Sequence, residues 1–422
     1  MINESYLRPF GVVTALLFAA VAHGQPLDTL LARVWADHPS LAALGYAYEA
    51  QLRVGPQRSR LPDPELQLGY WLLPVETRTG PQRLRAGATQ RLPYPGRLEA
   101  RRQLAETQAA PLKEQRAARA LQLAFELRRA YFDGWRIAAR AERLAAFQSV
   151  YALLEQATLA RIETGQGSTV GAYQVALEQQ ALNYRLAALR AQAAVPRSII
   201  GGLLAAPPAA SINYQLPDYR LDTAAVRRVA ASLSTTHPRL RLFAAQLAVR
   251  EASLALNELA LKPDFTLGLD YVQVNTRDDA APAGNGRDIL GPRVGVRLPL
   301  DKSAYRAKRE EETLRSAQLR ADRAALLLDL QTRIETTLTT YRLAVLEAAF
   351  IQQQLNTLPP ALEVARAEYG EGRRPLEEVL RLEERVLDYR LQEVDVRHRR
   401  AGAVARLAFL LAVHPSQITV YE

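Results

Sequence analysis

The sequence predicts a mainly α-helical protein with a small β part, in which one unit of two strands and a long helical hairpin occurs twice. Three observations support this fold class. Leu, Ala and Arg dominate, and aromatic residues make up only 7% against 48% hydrophobic residues, which is typical of long helices. A series of landmarks recurs in the same order in the two halves. Four short segments alternate apolar and polar residues, which indicates strands.

The recurrence defines two repeats, residues 25–215 and 216–422, joined by the Pro-containing stretch AAPPAASINYQLPDY. The His-Pro, Pro-Asp, Arg-Leu-Pro and glycine landmarks lie 199, 201, 206 and 205 residues apart. Chance similarity between Ala- and Leu-rich helices is the alternative, but the order is kept, and His-Pro and Pro-Asp are not helix filler. The matched pairs begin at His38 and His237, Leu61 and Lys262, Arg91 and Arg297, Gly165 and Gly370, and, more loosely, Gly201 and Leu410.

The N-terminus, residues 1–24, has the pattern of a secretory signal. Arg8 precedes the apolar run FGVVTALLFAAVA, which is followed by small residues around Ala22 and Gly24. A basic residue, a short apolar core and small residues at the cleavage site characterise such signals. We therefore expect an exported mature chain that begins near Gln25.

The composition argues against several functions. The chain has no Cys and five scattered His, so we expect no metal site and no cofactor. The net charge of +10 is interpreted as an Arg-rich solvated helical surface, because no nucleic-acid motif accompanies it. The runs Glu310–Glu312 and Glu383–Glu384 are interpreted as solvated helix faces, and no catalytic constellation is found, so we expect no enzyme.

Each repeat begins with helical periodicity, over 27–60 and 221–261, with Asp28 and Asp222 as the expected N-caps. Strands follow in PELQLGYWL, DFTLGLDYV and PRVGVRLPL, and more weakly over 84–88. We expect a loop of roughly ten to fifteen residues within each strand pair. Four strands can form an ordinary sheet on helices, or several chains can pool their strands into a membrane barrel whose apolar face meets lipid.

Long helical runs follow the strands, from 97 to 163 and from 302 to 368, 67 residues each. Straight helices of that length would reach about 100 Å. We expect breaks or kinks at Pro111 and at Pro359-Pro360. Small and apolar residues recur every three or four residues from Leu127 to Leu144, which predicts coiled-coil packing. Each run ends at a glycine-containing turn, interpreted as the tip of a helical hairpin where a helix end needs positive φ.

With its duplication, its PD strand entries, its RLPYPGR and RLPLDKS junctions and its two glycine tips, the sequence resembles the TolC-like outer membrane efflux family over nearly the whole mature chain. The PVETRTGPQ loop and the Pro95-Gly96-Arg97 junction look more like its heavy-metal efflux branch. The resemblance implies a homotrimer with a twelve-strand outer-membrane barrel and a periplasmic helical tunnel. It also implies partners: an inner-membrane pump and a periplasmic adaptor that docks at the tips.

The resemblance also implies a gate at the second tip, where Tyr369, Gly372 and Arg374 match the family's Tyr-x-x-Gly-x-Arg pattern. Glu378 occupies the position of the first acidic residue that follows this pattern. Arg381 stands at the position of the second acidic residue, and Tyr173 at an acidic position of the first tip. The gate ring is therefore altered. A plain reading of Glu378 and Arg381 is a local i, i+3 helix pair.

The expected docking surface consists of both tips, with Gly165, Gly167, Ser168, Gly370, Gly372 and Arg373. The alternative function is a soluble periplasmic coiled-coil adaptor or scaffold, since adaptors also use long hairpins. The small β domains that usually flank an adaptor's hairpin are missing from the pattern. The transported substrate is not identified by any of these features.

Overall fold

A computed structural model describes residues 27–207 and 212–420. The predicted signal segment, 1–24, lies outside the described residues. The elements of the first half are α1 (Leu27–Asp37), α2 (Pro39–Arg58), β1 (Glu65–Val75), β2 (Gln82–Leu92), α3 (Arg97–Thr107), α4 (Ala109–Glu163), α5 (Thr169–Gln192) and α6 (Ala194–Leu203). Those of the second half are β3 (Arg220–Leu221), α7 (Thr223–Ala231), α8 (Leu233–Thr236), α9 (Pro238–Ala260), β4 (Asp264–Val274), β5 (Ile289–Arg297), α10 (Ser303–Gly370), α11 (Leu376–Leu411) and β6 (Thr419–Val420).

The His-Pro landmarks are helix caps. The Nδ1 atoms of His38 and His237 accept hydrogen bonds from the backbone N–H of the second residue of α2 and of α9, at 3.1 and 3.2 Å, and the first residue of each helix is a proline. Each histidine therefore ends one helix and starts another within the predicted periodic run. Asp222 caps α7 as predicted, with bonds of 2.8 and 3.0 Å. The prediction for Asp28 is wrong, because Asp28 lies within the first turn of α1 and does not precede the helix.

The four long strands form one antiparallel sheet in the order β1-β2-β4-β5. The predicted strand segments are confirmed. The loop between β4 and β5, residues 275–288, has fourteen residues as expected, but the loop between β1 and β2, 76–81, has only six. A six-residue loop is enough because adjacent antiparallel strands need only a short connection. The two loops also contact each other, with the Gly286 N–H donating to the Thr79 carbonyl at 2.8 Å.

The two faces of this sheet differ in chemistry. On one face the side chains are apolar and exposed; they include Leu66, Leu68, Tyr70, Leu267, Leu269, Tyr271, Val294 and Val296. The opposite face carries ion pairs, from Arg85 and Arg293 to Asp270 at 3.1 and 3.3 Å and from Arg91 to Glu65 at 2.8 Å. The sheet has no core on its apolar side within the described part of the chain.

The long helices lie side by side in the order α5-α4-α11-α10. The main core joins α4, α10 and α11 to the short helices α1 and α7 and to Ile418, which precedes β6, and a second core holds the helices together toward the tips. Except at Ala141, which is half-buried, the predicted seam on α4 is buried. Its Gly134, however, is packed by the ring of Tyr214 from the connecting segment, which a Cβ would meet at 2.3 Å.

The proline predictions had different outcomes. The first long run is broken at Gln108, and Pro111 becomes the third residue of α4, where its missing N–H needs no partner. The second run is not broken, since α10 continues through Pro359 and Pro360 to Gly370. That helix forgoes two backbone hydrogen bonds, and the packing of Leu355 and Leu362 on either side retains it.

A buried arginine joins the two repeats below the sheet. The guanidinium of Arg97 pairs with Asp264 and donates to the carbonyls of Leu259 and Lys262 at 2.7 and 2.8 Å. Asp264 also accepts from the Tyr94 N–H at 3.1 Å. The PGR junction of the first repeat and the PD entry of the second therefore meet in space.

Two glutamates predicted to be solvated are buried, each only 1% exposed. Glu312 receives hydrogen bonds from Lys308 and Ser253, both 2.9 Å long, and burial alone would raise its pKa, but these bonds and the nearby Arg250 lower it overall. Glu383 lies between α10 and α11 against Arg366. Burial raises the pKa of Glu383, and Arg366 offsets this only in part.

Candidate functional site

Both hairpin tips use the same helix cap. In the first tip the Gly165 N–H donates to the Ile162 carbonyl and the Gln166 N–H to the Arg161 carbonyl, at 3.0 and 2.9 Å. In the second tip the Gly372 N–H donates to Tyr369 and the Arg373 N–H to Glu368, at 3.0 and 2.8 Å. This pattern of two hydrogen bonds is the Schellman motif, in which the residue after the C-cap takes a left-handed conformation.

The cap shows which glycines are equivalent. Gly165 and Gly372 have φ of 76° and 79°, so these two occupy the same position. The sequence pairing of Gly165 with Gly370 is therefore wrong by two residues. Gly370 is the last residue of α10, and a Cβ there would meet nothing within 4 Å. Gly167 is needed for close approach, because a Cβ would lie 2.6 Å from the Ile162 nitrogen.

Tyr369 connects the second hairpin to the first. Its side chain is 7% exposed, and its hydroxyl lies 3.0 Å from the hydroxyl of Thr158 on α4. Thr158 donates its own proton to the Leu154 carbonyl at 2.7 Å. The Thr158 oxygen must therefore accept the proton of the Tyr369 hydroxyl. This bond lies between the hairpins, as expected for a residue that joins them.

Arg161 is the second link between the hairpins, and no sequence pattern predicted it. Its guanidinium carbon lies 4.8 Å from the centre of the Tyr369 ring, and its Nη1 donates to the Tyr369 carbonyl oxygen. Nη2 donates to the Gln166 carbonyl of its own tip at 3.2 Å. A comparison of the two repeats could not have identified Arg161, because the equivalent position in the second repeat is Glu368.

Arg374 stays within its own hairpin. It donates to Glu368 on α10 at 2.7 Å and to Glu378 on α11 at 2.5 Å, and the hydrogen bond that Glu368 accepts is the main cause that raises the pKa of Arg374. Arg381 pairs with Glu377 at 3.0 Å, so the expected local pair with Glu378 is wrong. The structure thus brings together Arg374 and Glu378 and leaves Arg381 apart from both.

The remaining predicted tip residues lie at the surface. Ser168 is the N-cap of α5, accepts from the Val170 N–H at 3.2 Å and is exposed. Arg373 is exposed beside Glu371, and Tyr173 is 69% exposed on α5. Gly165, Gly370 and Gly372 are also exposed. The two tips therefore present an accessible surface, while Tyr369 lies beneath it.

No helix in the described ranges is long and apolar enough to cross a bilayer. Within the same ranges no group of three or more His, Asp or Glu side chains is placed to hold a metal ion.

The comparisons identify the fold. No family model matches the sequence, and no curated protein matches it. The solved structures that match include the outer membrane protein VceC from Vibrio cholerae, with a TM-score of 0.70, 16% identity, and 92% of this chain and 96% of that chain covered. CusC, described for its transmembrane channel formation, has a TM-score of 0.71, 17% identity and 92% coverage of both chains.

The open state of the MtrE outer membrane channel from Neisseria gonorrhoeae also matches, with a TM-score of 0.71, 16% identity, and 94% of this chain and 91% of that chain covered. The chain therefore has the fold of the TolC-like outer membrane channels, and the predicted mainly α-helical fold with a small β part is confirmed.

Proposed function

We propose that the chain is the outer membrane exit duct of a tripartite efflux or export system, and that it conducts substrate passively. One observation carries the proposal. One face of the sheet is apolar and exposed, with Leu68, Leu269 and Val294, and no other described element covers it. The opposite face is polar and ion-paired. An apolar outer face and a polar inner face are what a strand that crosses a membrane in a barrel requires.

The dimensions of the sheet agree with a membrane crossing. Three of its strands have 11 residues and β5 has 9, which is the length that a tilted strand needs to span the hydrocarbon region. β1 and β5 are edge strands whose outer backbone groups have no partner in the chain's own sheet. In a bilayer such edges must be paired, which further copies of the chain can do.

Exposed apolar residues on the outer two helices support self-association. On α5 they recur every seven residues at Val170, Leu177 and Tyr184; on α10 they lie at Leu343, Phe350 and, fourteen residues further toward the tip, Val364. Since α5 and α10 are the two edges of the helical layer, these stripes can pack against each other between copies. Three copies would give twelve strands, and the helical layers would close into a tunnel.

Location and size test this proposal. The full chain is expressed with its own signal, the two membranes are separated, and the non-ionic detergent extract is sized with light scattering. We expect a trimer in the outer membrane fraction. A detergent-independent monomer in the periplasm would refute the duct and leave the soluble coiled-coil scaffold.

The tips are proposed to dock a periplasmic adaptor, which would connect the duct to an inner-membrane pump. Cysteines at the exposed Ser168 and Arg373 test this, because the chain has no native Cys to interfere. Crosslinks from these positions to a candidate adaptor, and none from mid-helix control positions, are expected. Capture from the controls but never from the tips would overturn the docking surface.

We further propose that the link from Tyr369 to α4 holds the tunnel entrance narrow, with Arg374, Glu378, Arg381 and Tyr173 around it. Substitution of both Tyr369 and Arg374 by Ala should raise single-channel conductance in a planar bilayer. Unchanged conductance and unchanged opening would sink the gate while leaving the duct intact.

A further inference from the structure

A recess of about 680 Å³ lies between α4, α10 and α11, far along the helices from the tips. It is on the side of α11 that faces away from the connecting segment: Arg400 donates to the Tyr219 carbonyl at 3.3 Å, whereas Gly402 and Arg406 line the recess. Because α11 has α4 on one side and α10 on the other, the recess opens on a face of the helical layer and not at an edge where another copy would pack.

The recess carries positive charge that its own side chains do not neutralise. Arg129 and Arg406 are exposed and form no ion pair within the described residues. Arg333 and Arg399 also line it, but Asp329 and Glu347 pair with them, at 2.8 and 2.6 Å.

The one carboxylate that lines the recess has a partner already. His398 lies 3.0 Å from Asp133, and this hydrogen bond is the main cause that lowers the pKa of Asp133. Asp133 is thus an anion already engaged by its neighbour. Arg129, one turn before Asp133 on α4, also lowers the pKa of Asp133 but forms no ion pair with it. Arg129 and Arg406 are therefore the two arginines of the recess without an ion-pair partner among the described residues, and they are available to an anion from solution.

Beside the charges is an apolar wall. Phe125 of α4 and Phe409 of α11 stack with ring centres 4.9 Å apart. The two helices run antiparallel, so Arg129, one turn after Phe125, and Arg406, one turn before Phe409, fall on the same side of the stacked pair.

Gly402 keeps the floor of the recess open. It lies in the middle of α11, where glycine weakens a helix, and a Cβ at this position would meet nothing within 4 Å. No packing contact therefore demands a glycine there, whereas a larger side chain would fill the recess.

We propose that this recess binds an amphiphilic organic anion, with its acidic group toward Arg129 and Arg406 and its apolar body against Phe125 and Phe409. The placement of the recess on the inner wall of a duct rests on the proposed function; the binding itself does not. A ligand of this class gains both charge-assisted hydrogen bonds and burial of apolar surface.

Equilibrium dialysis of the purified full chain in non-ionic detergent tests the proposal with three probes of one shape: 1-naphthalenesulfonate, the neutral 1-naphthalenemethanol and the cationic 1-naphthylmethylammonium. We expect saturable binding of the sulfonate, one molecule per chain, about tenfold or more tighter than the neutral probe. The double variant Arg129→Ala/Arg406→Ala should lose about tenfold or more for the sulfonate alone. The matched control is Arg315→Ala, which removes an exposed arginine of α10 outside the recess.

Gly402→Leu provides the second variant, and we expect it to abolish binding of all three probes by filling the recess. Helical content by circular dichroism, measured on every sample, confirms that each variant has folded. Equal sulfonate binding by wild type and the double variant, or unsaturable binding, would overturn the site. Light scattering on the same samples separates the two proposals: a trimer without binding refutes the recess only, and a monomer that binds one sulfonate refutes the duct only.

Discussion

Arg161→Ala should separate the two hairpin tips. The substitution removes a charged hydrogen bond to the Tyr369 carbonyl, worth about 1.5–3 kcal/mol, and a half-exposed cation–π contact at 4.8 Å, worth about 0.5–1 kcal/mol. Together these give about 2–4 kcal/mol per chain. The equilibrium between joined and separated tips should therefore shift by about 30- to 900-fold.

Two further variants should weaken the contact between the tips by smaller amounts than Arg161→Ala. Tyr369→Phe removes only the hydroxyl that donates to Thr158, and Thr158 keeps its own bond to the Leu154 carbonyl at 2.7 Å. No buried donor is left without a partner, so the expected loss is about 1 kcal/mol, roughly fivefold. Arg161→Lys keeps the charge but loses the planar guanidinium, and should fall between the other two.

The tips can be followed directly with spin labels at Thr164 and Glu371, the C-cap residues of α4 and α10. Double electron–electron resonance should show longer label separations in the order Tyr369→Phe, Arg161→Lys, Arg161→Ala, and single-channel conductance should rise in the same order. The exposed Arg315→Ala serves as control. Unchanged separations in Arg161→Ala, or a larger effect of Tyr369→Phe, would refute the assignment of Arg161 as the main link.

Three other predictions follow from the fold and its charges. Arg97→Ala should lower the free energy of unfolding by about 3 kcal/mol, because it removes a buried pair and two carbonyl bonds, whereas the exposed Arg60→Ala should change it by less than about 1 kcal/mol, measured by denaturant unfolding. Burial lowers the pKa of His237 to about 4 from 6.5, so between these two pH values the folded state binds fewer protons than the unfolded chain. The free energy of unfolding of the wild type should therefore fall by about 2 kcal/mol between pH 7 and pH 5. His237→Asn, which keeps a helix cap, should not show this fall. Leu267→Arg on the apolar sheet face should cost about 2–4 kcal/mol and reduce membrane assembly, while Gln67→Arg on the polar face should be tolerated, as judged by heat-dependent gel mobility. These predictions would be contradicted, respectively, by equal effects of Arg97→Ala and Arg60→Ala, by equal pH dependence of wild type and His237→Asn, and by equal effects of Leu267→Arg and Gln67→Arg.

The strands and the tips could be predicted because their patterns are local. Alternation from Leu66 to Leu72 or from Phe265 to Tyr271 follows directly from the two faces of a strand. Likewise, a glycine after an amphipathic run indicates a helix end through its backbone freedom. Asp222 was predicted as a cap for the same reason: the cap depends only on residues within one turn.

Contacts between distant segments were not predictable in this way. Glu383 lies against Arg366, seventeen residues earlier on the neighbouring helix. Its spacing of three residues from Leu380 and Val386 places it on the buried stripe of α11, unlike the exposed Glu384, but that spacing does not identify its partner. Glu312 depends in the same way on Arg250 and Ser253 of α9. A charged run on a long helix gives no information on which neighbouring helix covers one of its faces.

Two residues of the matched tip motif, Tyr369 and Arg374, make different contacts. The motif suggested that Tyr369 and Arg374 act together, yet only Tyr369 reaches α4, while Arg374 binds two carboxylates of its own hairpin. Because both carboxylates belong to its own hairpin, Arg374 stabilises the turn between α10 and α11. Arg374→Ala should therefore speed hydrogen exchange of the peptide 368–378 and leave 158–166 unchanged, whereas Arg161→Ala should speed both, because Arg161 bonds to its own turn as well as to Tyr369. Equal acceleration of both peptides in Arg374→Ala would show that its pairing does reach across the hairpins.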